Sequence, residues 1–366
     1  MFLIVTRNFP PDIGGMQSLM GGLSEALLNH GPVKVFADEF PSSDSYDKKS
    51  TMNIQRVKGI KLFRKYRKAN LVNNFINENN NIRAIFADHW KSLELLDRNL
   101  LKKYKIICLL HSKEINHKKG TNLNKRLIKS TDKANLIVAN SNFTKNLAID
   151  VGINSKKINV IFPGVHKPKN IEDKFINEAN NLFGASFPKI ITVARLDKRK
   201  GHDKIIMTIK NLTNKFSKIK YISIGSGDEE KNLLNLSKEL SIENKVTFLK
   251  NIDENLKLAL IKSSDLFLMP SVIDKKSVEG FGIAYMEAAS YGVGSIGGKD
   301  GGTSDSISQN HTGLLCDGNE LSSIHESVIE FFNNDNFIKF GKSALKHSEN
   351  FHWDKVVKKY LNLINN

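Results

Sequence analysis

The chain contains two kinds of hydrophobic pattern. Short apolar runs, such as FLIV at 2–5 and IICLL at 106–110, have the length of buried strands. Longer segments, such as 16–30 and 200–216, repeat apolar residues every three to four positions, as amphipathic helices do. The two kinds of segment alternate over the first 160 residues and again from about residue 189. This alternation predicts an α/β protein with two doubly wound Rossmann-like domains.

The division between the two series falls at a turn-rich stretch containing Pro163, Gly164 and Pro168. We therefore predict an N-terminal domain over 1–165 and a C-terminal domain over 166–347. The tail, about 348–366, has helical periodicity and is expected to pack back on the first domain. Since ligands of doubly wound sheets bind at the carboxyl ends of the strands, the expected site is a cleft that both domains face.

Composition narrows the class of protein. The chain has 366 residues, of which 40% are hydrophobic and 25% are charged, as in ordinary globular proteins. No apolar run approaches the roughly 20 residues that a membrane-spanning helix needs, and the N-terminus reads as a strand instead of a signal peptide. The two cysteines, Cys108 and Cys316, lie in apolar contexts and are predicted to be buried free thiols in a reducing cytoplasm.

The formal net charge of +17 is unevenly distributed. Residues 1–165 contain 27 Lys and Arg against 13 Asp and Glu, whereas the remainder contains 28 against 25. A one-sided positive field attracts nucleic acid or an anionic membrane, although a general solubilising bias would give the same composition. The basic segments have few aromatic residues beyond Phe63 and Tyr66, and no nucleic-acid recognition module is present. No nucleic-acid partner is therefore predicted, and a basic nucleic-acid-binding protein is kept only as the alternative class.

The stretch EGFGIAYME carries the clearest candidate chemistry. It follows the predicted strand DLFLM and opens a helix, so its free amides could bind phosphate, and Gly280 and Gly282 would let a ligand approach the backbone. Glu279 and Glu287 are acceptors only, so their natural targets are hydroxyl groups. A ligand with a diphosphate, a ribose and a sugar fits this arrangement. An ordinary turn with two solvated glutamates would also fit the spacing.

A diphosphate also requires cations. The segment VARLDKRKGHD supplies Arg195 just after a strand and Lys200 just before a helix, and both side chains bind phosphate oxygens. A solvated basic loop is the alternative. The sequence contains no D-x-D, no H-E-x-x-H and no paired cysteines, so we predict neither a metal site nor a cofactor. Two basic side chains could replace Mg²⁺ on a leaving diphosphate.

Two further candidates lie in the first half. Gly14, Gly15 and Met16 stand at a loop-to-helix junction that could bind an anion or be a plain turn. His111 follows the buried strand IICLL, at the place where a site residue would project, although a lone histidine is often structural.

Together these stretches resemble the family 4 retaining glycosyltransferases of the GT-B fold. The matching segments are TRNFPPDIGGMQ, LLHSKEI, NSNFTK, PGV, VARLDKRKGHD, IGSGDEE, EGFGIAYMEAASYG and GGTSDSI, in family order over almost the whole chain. The segments TRNFPPDIGGMQ, LLHSKEI and RKGHD are most similar to phosphatidylinositol mannosyltransferases and related lipid glycosyltransferases. Many members have Pro-Glu after Gly-Gly where this chain has Thr-Ser-Asp, and the loop SVIDKKSVEG is lengthened.

The resemblance implies a metal-independent hexosyltransferase that retains anomeric configuration and takes a hexose or hexuronic acid from a UDP- or GDP-sugar. Arg195 and Lys200 would neutralise the diphosphate, while Glu279 would bind sugar hydroxyls and Glu287 the ribose. The backbone of Gly280, Phe281, Gly282 and Ile283 would hold the phosphates and the sugar. The resemblance also places Gly14, Gly15, Met16 and His111 around the reacting centre, with Gly15 toward the donor and His111 as a catalytic residue.

The acceptor is predicted from two basic segments. In 57–76, Leu62, Tyr66, Ala69, Val72 and Ile76 recur at helical spacing among basic residues, and 117–130 is also basic. A basic amphipathic helix suits an anionic membrane surface, whereas a core-facing helix with a solvated basic face is the alternative. The candidate membrane-facing residues are Lys61, Arg64, Lys65, Arg67, Lys68, Lys118, Lys119, Lys125 and Arg126.

We therefore expect a lipid acceptor, such as diacylglycerol or a phospholipid headgroup, and peripheral binding to the inner face of the cytoplasmic membrane. A lipopolysaccharide or polysaccharide intermediate is the alternative acceptor. A phosphorylase or sugar-phosphate synthase of similar shape would use a soluble acceptor instead. The sequence does not predict the oligomeric state.

Overall fold

The computed structural model describes residues 1–365 and divides the chain into two compact units. Unit 1 comprises Met1–Gly164 together with the segment that begins at His352, and unit 2 comprises Val165–Phe351. The division lies one residue before the predicted boundary. The returning segment begins at residue 352, whereas the sequence pattern placed its start near 348.

Unit 1 is built on a seven-stranded sheet whose paired strands are all parallel, in the order β3-β2-β1-β4-β5-β6-β7. Its strands are β1 (Phe2–Val5), β2 (Val33–Asp38), β3 (Asn53–Val57), β4 (Ala84–Ala87), β5 (Lys105–Leu110), β6 (Leu136–Ala139) and β7 (Ile158–Val160). The helices between them are α1 (Gly15–Leu28), α2 (Ser43–Lys49), α3 (Lys61–Glu78), α4 (Trp90–Glu94), α5 (Arg98–Leu101), α6 (Ser112–Ile115), α7 (Asn122–Thr131) and α8 (Asn142–Asp150).

Unit 2 repeats the plan with six strands in the order β10-β9-β8-β11-β12-β13, again with parallel pairing throughout. Its strands are β8 (Lys189–Val193), β9 (Lys220–Ile224), β10 (Val246–Leu249), β11 (Leu266–Met269), β12 (Ser295–Gly298) and β13 (Gly313–Cys316). Its helices are α9 (Asp173–Phe183), α10 (His202–Leu212), α11 (Glu230–Glu239), α12 (Glu254–Lys262), α13 (Ile283–Ser290), α14 (Leu321–Phe332) and α15 (Asn336–Ser348).

The burial of the central strands explains why they appear as continuous apolar runs. Every residue of β1, β4 and β11 is buried, because helices cover both faces of a parallel sheet. In both sheets the strand order reverses beside the first strand, with β4 next to β1 and β11 next to β8. The carboxyl ends of those strands are where doubly wound sheets bind ligands.

The last helix, α16 (Trp353–Asn365), packs on α1 within unit 1. The Trp353 ring fills space left by two glycines. A Cβ atom on Gly22 would lie 2.1 Å from the indole nitrogen, and one on Gly164 would lie 2.4 Å from the ring. Only residues without a side chain fit at these two positions, so the tryptophan and the glycines form one packing unit.

The sequence predicted buried free cysteines and no membrane-spanning helix. Cys108 and Cys316 are both free and buried, which confirms the prediction of buried thiols. Among residues 1–365, no helix is long and apolar enough to cross a bilayer.

Candidate active site

A tight turn after β8 positions the basic side chains of unit 2. The turn Lys198–Lys200 leads through Gly201, whose φ of +72° favours glycine, into α10. A Cβ atom on Gly201 would lie 2.8 Å from the carbonyl oxygen of Pro270, which follows β11. The turn therefore runs directly against the end of β11, and this contact brings Lys200 to the segment that carries Glu279.

Glu279 is held by two cations. Its Oε2 lies 2.6 Å from Lys200 Nζ and 2.8 Å from Arg199 Nη1, and the three side chains are only about a tenth exposed. No hydrogen bond from residues 1–365 reaches Glu279 Oε1. Burial acts to raise the Glu279 pKa, but Lys200 and Arg199 outweigh it and lower the value to about 2. The carboxylate is therefore ionised, with one oxygen left as an acceptor for a ligand.

The charge of this cluster is positive, since two cations share one carboxylate. Burial lowers the pKa of Lys200, and the Glu279 carboxylate opposes that shift. The sequence predicted Lys200 and Glu279 but not Arg199, which belongs to the same Lys-Arg-Lys run. Nothing in that run distinguishes Arg199 from its neighbours, because its partner lies 80 residues away.

The start of α13 is open for an anion. Gly282 precedes the helix with φ +88°, and a Cβ atom there would lie 2.3 Å from the Tyr285 ring. No side chain in the described part of the chain caps this helix, so its first amides are available to a phosphate. The Phe281 side chain is buried and packs near Phe351, so only its backbone is available for the predicted donor contact.

A second glycine loop fixes the backbone of Glu279. The Gly302 amide donates to the Glu279 carbonyl oxygen at 2.8 Å, and a Cβ atom on Gly301 would lie 2.3 Å from that oxygen. This loop begins the GGTSDSI segment, which departs from the common family pattern at Ser304 and Asp305. The two glycines therefore supply contacts that brace the backbone of Glu279.

Glu287 lies in the second turn of α13 and pairs with a lysine that the sequence did not single out. Its Oε1 is 2.8 Å from Lys257 Nζ, and the same ammonium is 2.8 Å from Glu254. Burial acts to lower the Lys257 pKa, but the two carboxylates raise it. Lys257 therefore stays charged and fixes one oxygen of Glu287.

Arg195 lies outside the Glu279 cluster. Its side chain is 68% exposed and pairs with Asp197 at 3.1 Å, while its carbonyl oxygen accepts from His202 Nε2. The structure thus brings Lys200 and Glu279 into contact and leaves Arg195 at the surface. An exposed guanidinium with one carboxylate partner is free to move toward a ligand.

In unit 1, buried Asp88 follows β4 and organises the carboxyl edge of the sheet. It accepts from the Thr6 hydroxyl at 2.8 Å, the Arg7 amide at 2.9 Å and the Ser92 hydroxyl at 2.6 Å. His111 Nε2 lies 3.1 Å from the Asp88 carbonyl oxygen. Because a carbonyl can only accept, Nε2 carries a proton and donates it. His111 is therefore oriented by the backbone.

The glycine loop of unit 1 opens α1. Gly14 caps the helix without a side-chain hydrogen bond, and Gly15 is its first residue. A Cβ atom on Gly14 would lie 2.5 Å from Gln17 Oε1, and Met16 Sδ is 3.8 Å from Asn8 Nδ2. Gly15 thus belongs to unit 1, whereas the other predicted donor-binding residues belong to unit 2.

The candidate membrane-facing residues divide into two groups. Exposed ones are Lys61, Lys65, Arg67, Lys118, Lys119, Lys125 and Arg126, although Arg126 pairs with Glu94 at 2.6 Å. Lys68 was wrongly predicted to face the membrane. It is buried, because its ammonium donates to the Thr6 carbonyl oxygen at 2.6 Å and pairs with Asp38 at 2.7 Å. Arg64 is partly buried and donates to the Gly59 carbonyl oxygen at 2.9 Å.

The apolar face of α3 also differs from its prediction. Ala69, Val72 and Ile76 are buried as expected, but Leu62 and Tyr66 are exposed. In the first half of α3, the apolar side chains therefore lie in solvent among the lysines. Separately, no group of three or more His, Cys, Asp or Glu within residues 1–365 is placed to hold a metal ion.

Comparisons with known proteins cover both units. Residues 13–167 match the family model "Glycosyltransferase Family 4", and residues 173–350 match "Glycosyl transferases group 1". Among curated relatives, a GDP-mannose-dependent alpha-(1-6)-phosphatidylinositol monomannoside mannosyltransferase of Mycobacterium tuberculosis is 22% identical over 378 residues, covering 98% of this chain and 96% of the relative. Its Mycolicibacterium smegmatis counterpart is 23% identical over 335 residues, with 89% and 87% covered.

Solved structures share the fold. Anabaena Alr3699/HepE in complex with UDP superposes with a TM-score of 0.82 at 16% identity, covering 100% of this chain and 99% of that one. Since the two family models follow one another over nearly the full length, and the fold agrees over all of it, the chain belongs to the family 4 glycosyltransferases of the GT-B fold.

Proposed function

We propose that this glycosyltransferase transfers a hexose, with retention of configuration and without a metal ion, from a UDP- or GDP-sugar to a lipid acceptor at an anionic membrane. Unit 2 would hold the donor and unit 1 the acceptor. The observation that supports the donor assignment is the positively charged cluster at Glu279 beside the uncapped start of α13. The Anabaena structure was determined with UDP, and the mycobacterial relatives are named as GDP-mannose-dependent.

The donor would be bound through both ends of the EGFG segment. The amides that open α13 would receive the diphosphate, with Lys200 behind it and Arg195 closing from the surface. Glu279 Oε1 would accept from a sugar hydroxyl, and Glu287 would accept from the ribose. The cationic side chains would neutralise the leaving diphosphate, which is the part a metal ion plays elsewhere.

In the transfer itself, the bond from the anomeric carbon to the phosphate oxygen breaks, and a bond from the acceptor oxygen to that carbon forms on the same face. The leaving diphosphate takes the acceptor proton. Most of the rate enhancement would come from stabilising the leaving group and from positioning. His111 Nδ1 would accept a hydrogen bond from a hydroxyl near the reacting centre.

The membrane assignment rests on the first half of α3. Leu62 is 71% exposed and Phe63 is 53% exposed, next to exposed Lys61 and Lys65. Apolar side chains among cations suit a headgroup layer, where the rings and methyl groups enter the acyl boundary and the ammonium groups meet phosphates. Each basic residue near an anionic surface contributes about 1 kcal/mol. Peripheral association with the inner face of the cytoplasmic membrane would follow.

A donor screen with the pure protein tests the proposal. Thermal stabilisation is measured with UDP-, GDP- and ADP-sugars, and products are sought with and without vesicles containing diacylglycerol or phospholipid. One stabilising nucleotide together with a new glycolipid only in the presence of vesicles is expected. Product with soluble saccharides alone would refute the lipid acceptor and favour polysaccharide assembly. No stabilisation by any nucleotide-sugar would refute the donor assignment.

The membrane surface is tested by co-sedimentation with anionic vesicles. Replacing Leu62 and Phe63 by glutamine should weaken binding by about tenfold, because two partly inserted apolar groups contribute roughly 1.5 kcal/mol or more together. Leu234→Gln is the matched control, since Leu234 is an exposed leucine of unit 2. Binding should also fall steeply with salt. Equal binding by all variants, or binding independent of salt, would contradict the assignment.

A further inference from the structure

The glycine loop of unit 1, residues 6–14, is held in place by side chains. It leaves β1 where the strand order of the sheet reverses, which is where doubly wound sheets bind ligands. Within residues 7–13, no amide or carbonyl group bonds to another backbone group of the part of the chain that the structure describes. The Arg7 amide donates to the Asp88 carboxylate instead. The conformation of the loop therefore depends on side chains that reach it from the rest of unit 1.

Lys68 holds the start of the glycine loop. Its side chain comes from α3 and is only 6% exposed, and its ammonium donates to the Thr6 carbonyl oxygen at 2.6 Å. Asp38, at the end of β2, balances the charge at 2.7 Å. The lysine that the sequence pattern assigned to a membrane surface thus directs its charge at the backbone of the loop.

Arg56 holds the middle of the loop from the edge strand β3. Its side chain is 4% exposed, and its Nε and Nη2 donate to the Asp47 carboxylate at 2.9 and 2.7 Å. Nη2 also donates to the Pro10 carbonyl oxygen, and the guanidinium lies 5.5 Å from the centre of the Phe9 ring. Helix α1 packs closely on the same proline, since a Cβ atom on Gly21 would lie 2.7 Å from its ring. Pro10 is therefore fixed by both β3 and α1.

Stability alone does not explain these two buried cations. Replacing a buried ion pair by apolar residues often leaves a protein as stable as before or makes it more stable. An apolar residue could not donate to a loop carbonyl, however, and both Arg56 and Lys68 do so. The tip of the loop is different, because Ile13 is 89% exposed. A fixed stem with an exposed tip is suited to presenting Gly14 and Gly15 to a ligand.

We propose that Arg56 and Lys68 are positioning residues for the transfer reaction. By binding two carbonyl groups of the stem, they keep the glycine loop in the conformation that brings Gly14 and Gly15 to the reacting centre. Neither cation touches the reacting atoms. This inference rests on the proposed function. Because a misplacement of about 1 Å can lower a rate by about 100-fold, loss of either tether should lower kcat by about tenfold or more.

The test is steady-state kinetics of the whole protein with a panel of UDP- and GDP-sugars and vesicles that contain diacylglycerol and phospholipid. Lys68→Met and Lys68→Gln remove the same charge, but only the glutamine amide can still donate to the Thr6 carbonyl oxygen. Lys68→Met should therefore lose more of kcat than Lys68→Gln. Arg56→Lys should also lower kcat, since one ammonium lacks the fork that serves Asp47 and Pro10 together. Donor affinity in calorimetry should change by less than about twofold, because the loss concerns the transition state.

Lys133→Met is the matched control, since Lys133 is a partly buried lysine of unit 1 that donates to three carbonyl groups at the end of α4. It should lower the melting temperature and leave kcat unchanged. Hydrogen exchange of the peptide covering residues 7–20 gives a second measurement that needs no activity. Exchange there should be faster in Lys68→Met and Arg56→Lys than in the control.

Several outcomes would overturn the inference. A loss of kcat no larger than that of Lys133→Met would show that the two cations only stabilise the fold. Equal kcat in Lys68→Met and Lys68→Gln would assign the effect to the ion pair and not to the bond with the loop. Active wild type with unchanged variants refutes only this inference. Wild type that transfers from no donor, although exchange in the loop responds to the substitutions, refutes the proposed function and the positioning role with it.

Discussion

Glu279→Gln is the most informative perturbation of unit 2, because it removes one charge from a buried cluster of three. The carboxyl pKa is lowered from 4.5 to about 2, mainly by Lys200 and Arg199 acting against burial. The pKa of Glu279 is therefore about 2.5 lower in the folded than in the unfolded protein. At roughly 1.36 kcal/mol for each pKa unit, the ionised carboxylate adds about 3 kcal/mol to the free energy of unfolding at neutral pH. The amide side chain of the Glu279→Gln variant would also leave two buried cations without a counterion. The free-energy cost of breaking a buried ion pair in this way is in the same range, about 3 kcal/mol.

The pH dependence has a definite sign. The folded pKa lies below the unfolded value, so the carboxylate contributes fully above about pH 4.5 and loses its contribution as the pH falls toward 2. The free-energy difference between wild type and Glu279→Gln should therefore be about 3 kcal/mol at pH 7 and should shrink steadily below pH 4.5. Acid unfolding of other parts of the chain does not affect this reasoning, because only the difference is compared.

The assay must report on unit 2 alone. Both tryptophans, Trp90 and Trp353, lie in unit 1, so fluorescence follows unit 1 and serves as an internal control. Hydrogen exchange of peptides covering β8 and β11 reports on unit 2. Glu230→Gln is the matched control, since Glu230 forms an exposed ion pair with Lys250 that should contribute less than about 1 kcal/mol. The reasoning would be refuted if Glu279→Gln lowered the free energy of unfolding of unit 2 no more than Glu230→Gln does. It would also be refuted if the decrease did not depend on pH.

Three further expectations concern named side chains. Arg195→Ala should raise KM for the nucleotide-sugar with little change in melting temperature, since the side chain is exposed. Lys200→Ala should lower kcat more than it weakens binding. Wild-type steady-state kinetics in both variants would contradict the donor site. Glu287→Ala should weaken nucleotide-sugar binding in calorimetry through the lost ribose bonds, and unchanged affinity would remove it from the site. Burial raises the pKa of Cys108 and raises that of Cys316 to about 12, so a thiol reagent should label neither cysteine in the native protein and both after denaturation; labelling of the native protein would contradict their burial.

Periodicity in the sequence predicts most of the elements but not all of them. The buried strands β1, β4 and β11 are short apolar runs that contrast with their neighbours, and they are recognised readily. Strand β3 is not predicted, because it lies at the sheet edge with only Val57 buried and shows no apolar run. The segment 57–76 was predicted to be helical, and the structure has α3 over Lys61–Glu78. The sequence pattern does not reveal that Leu62 and Tyr66 are exposed.

Local patterns in the sequence are enough to predict the fold class, the two-unit plan and the EGFG segment, because strand and helix periods, turn residues and glycine positions are local properties of the chain. Which charges meet depends on how the chain folds. Arg199 and Lys200 reach Glu279 across 80 and 79 residues, and Lys68 is buried against Asp38 instead of facing a membrane. Pairing of this kind depends on which strand ends lie side by side, and strand order is a property of the folded sheet that no local pattern records.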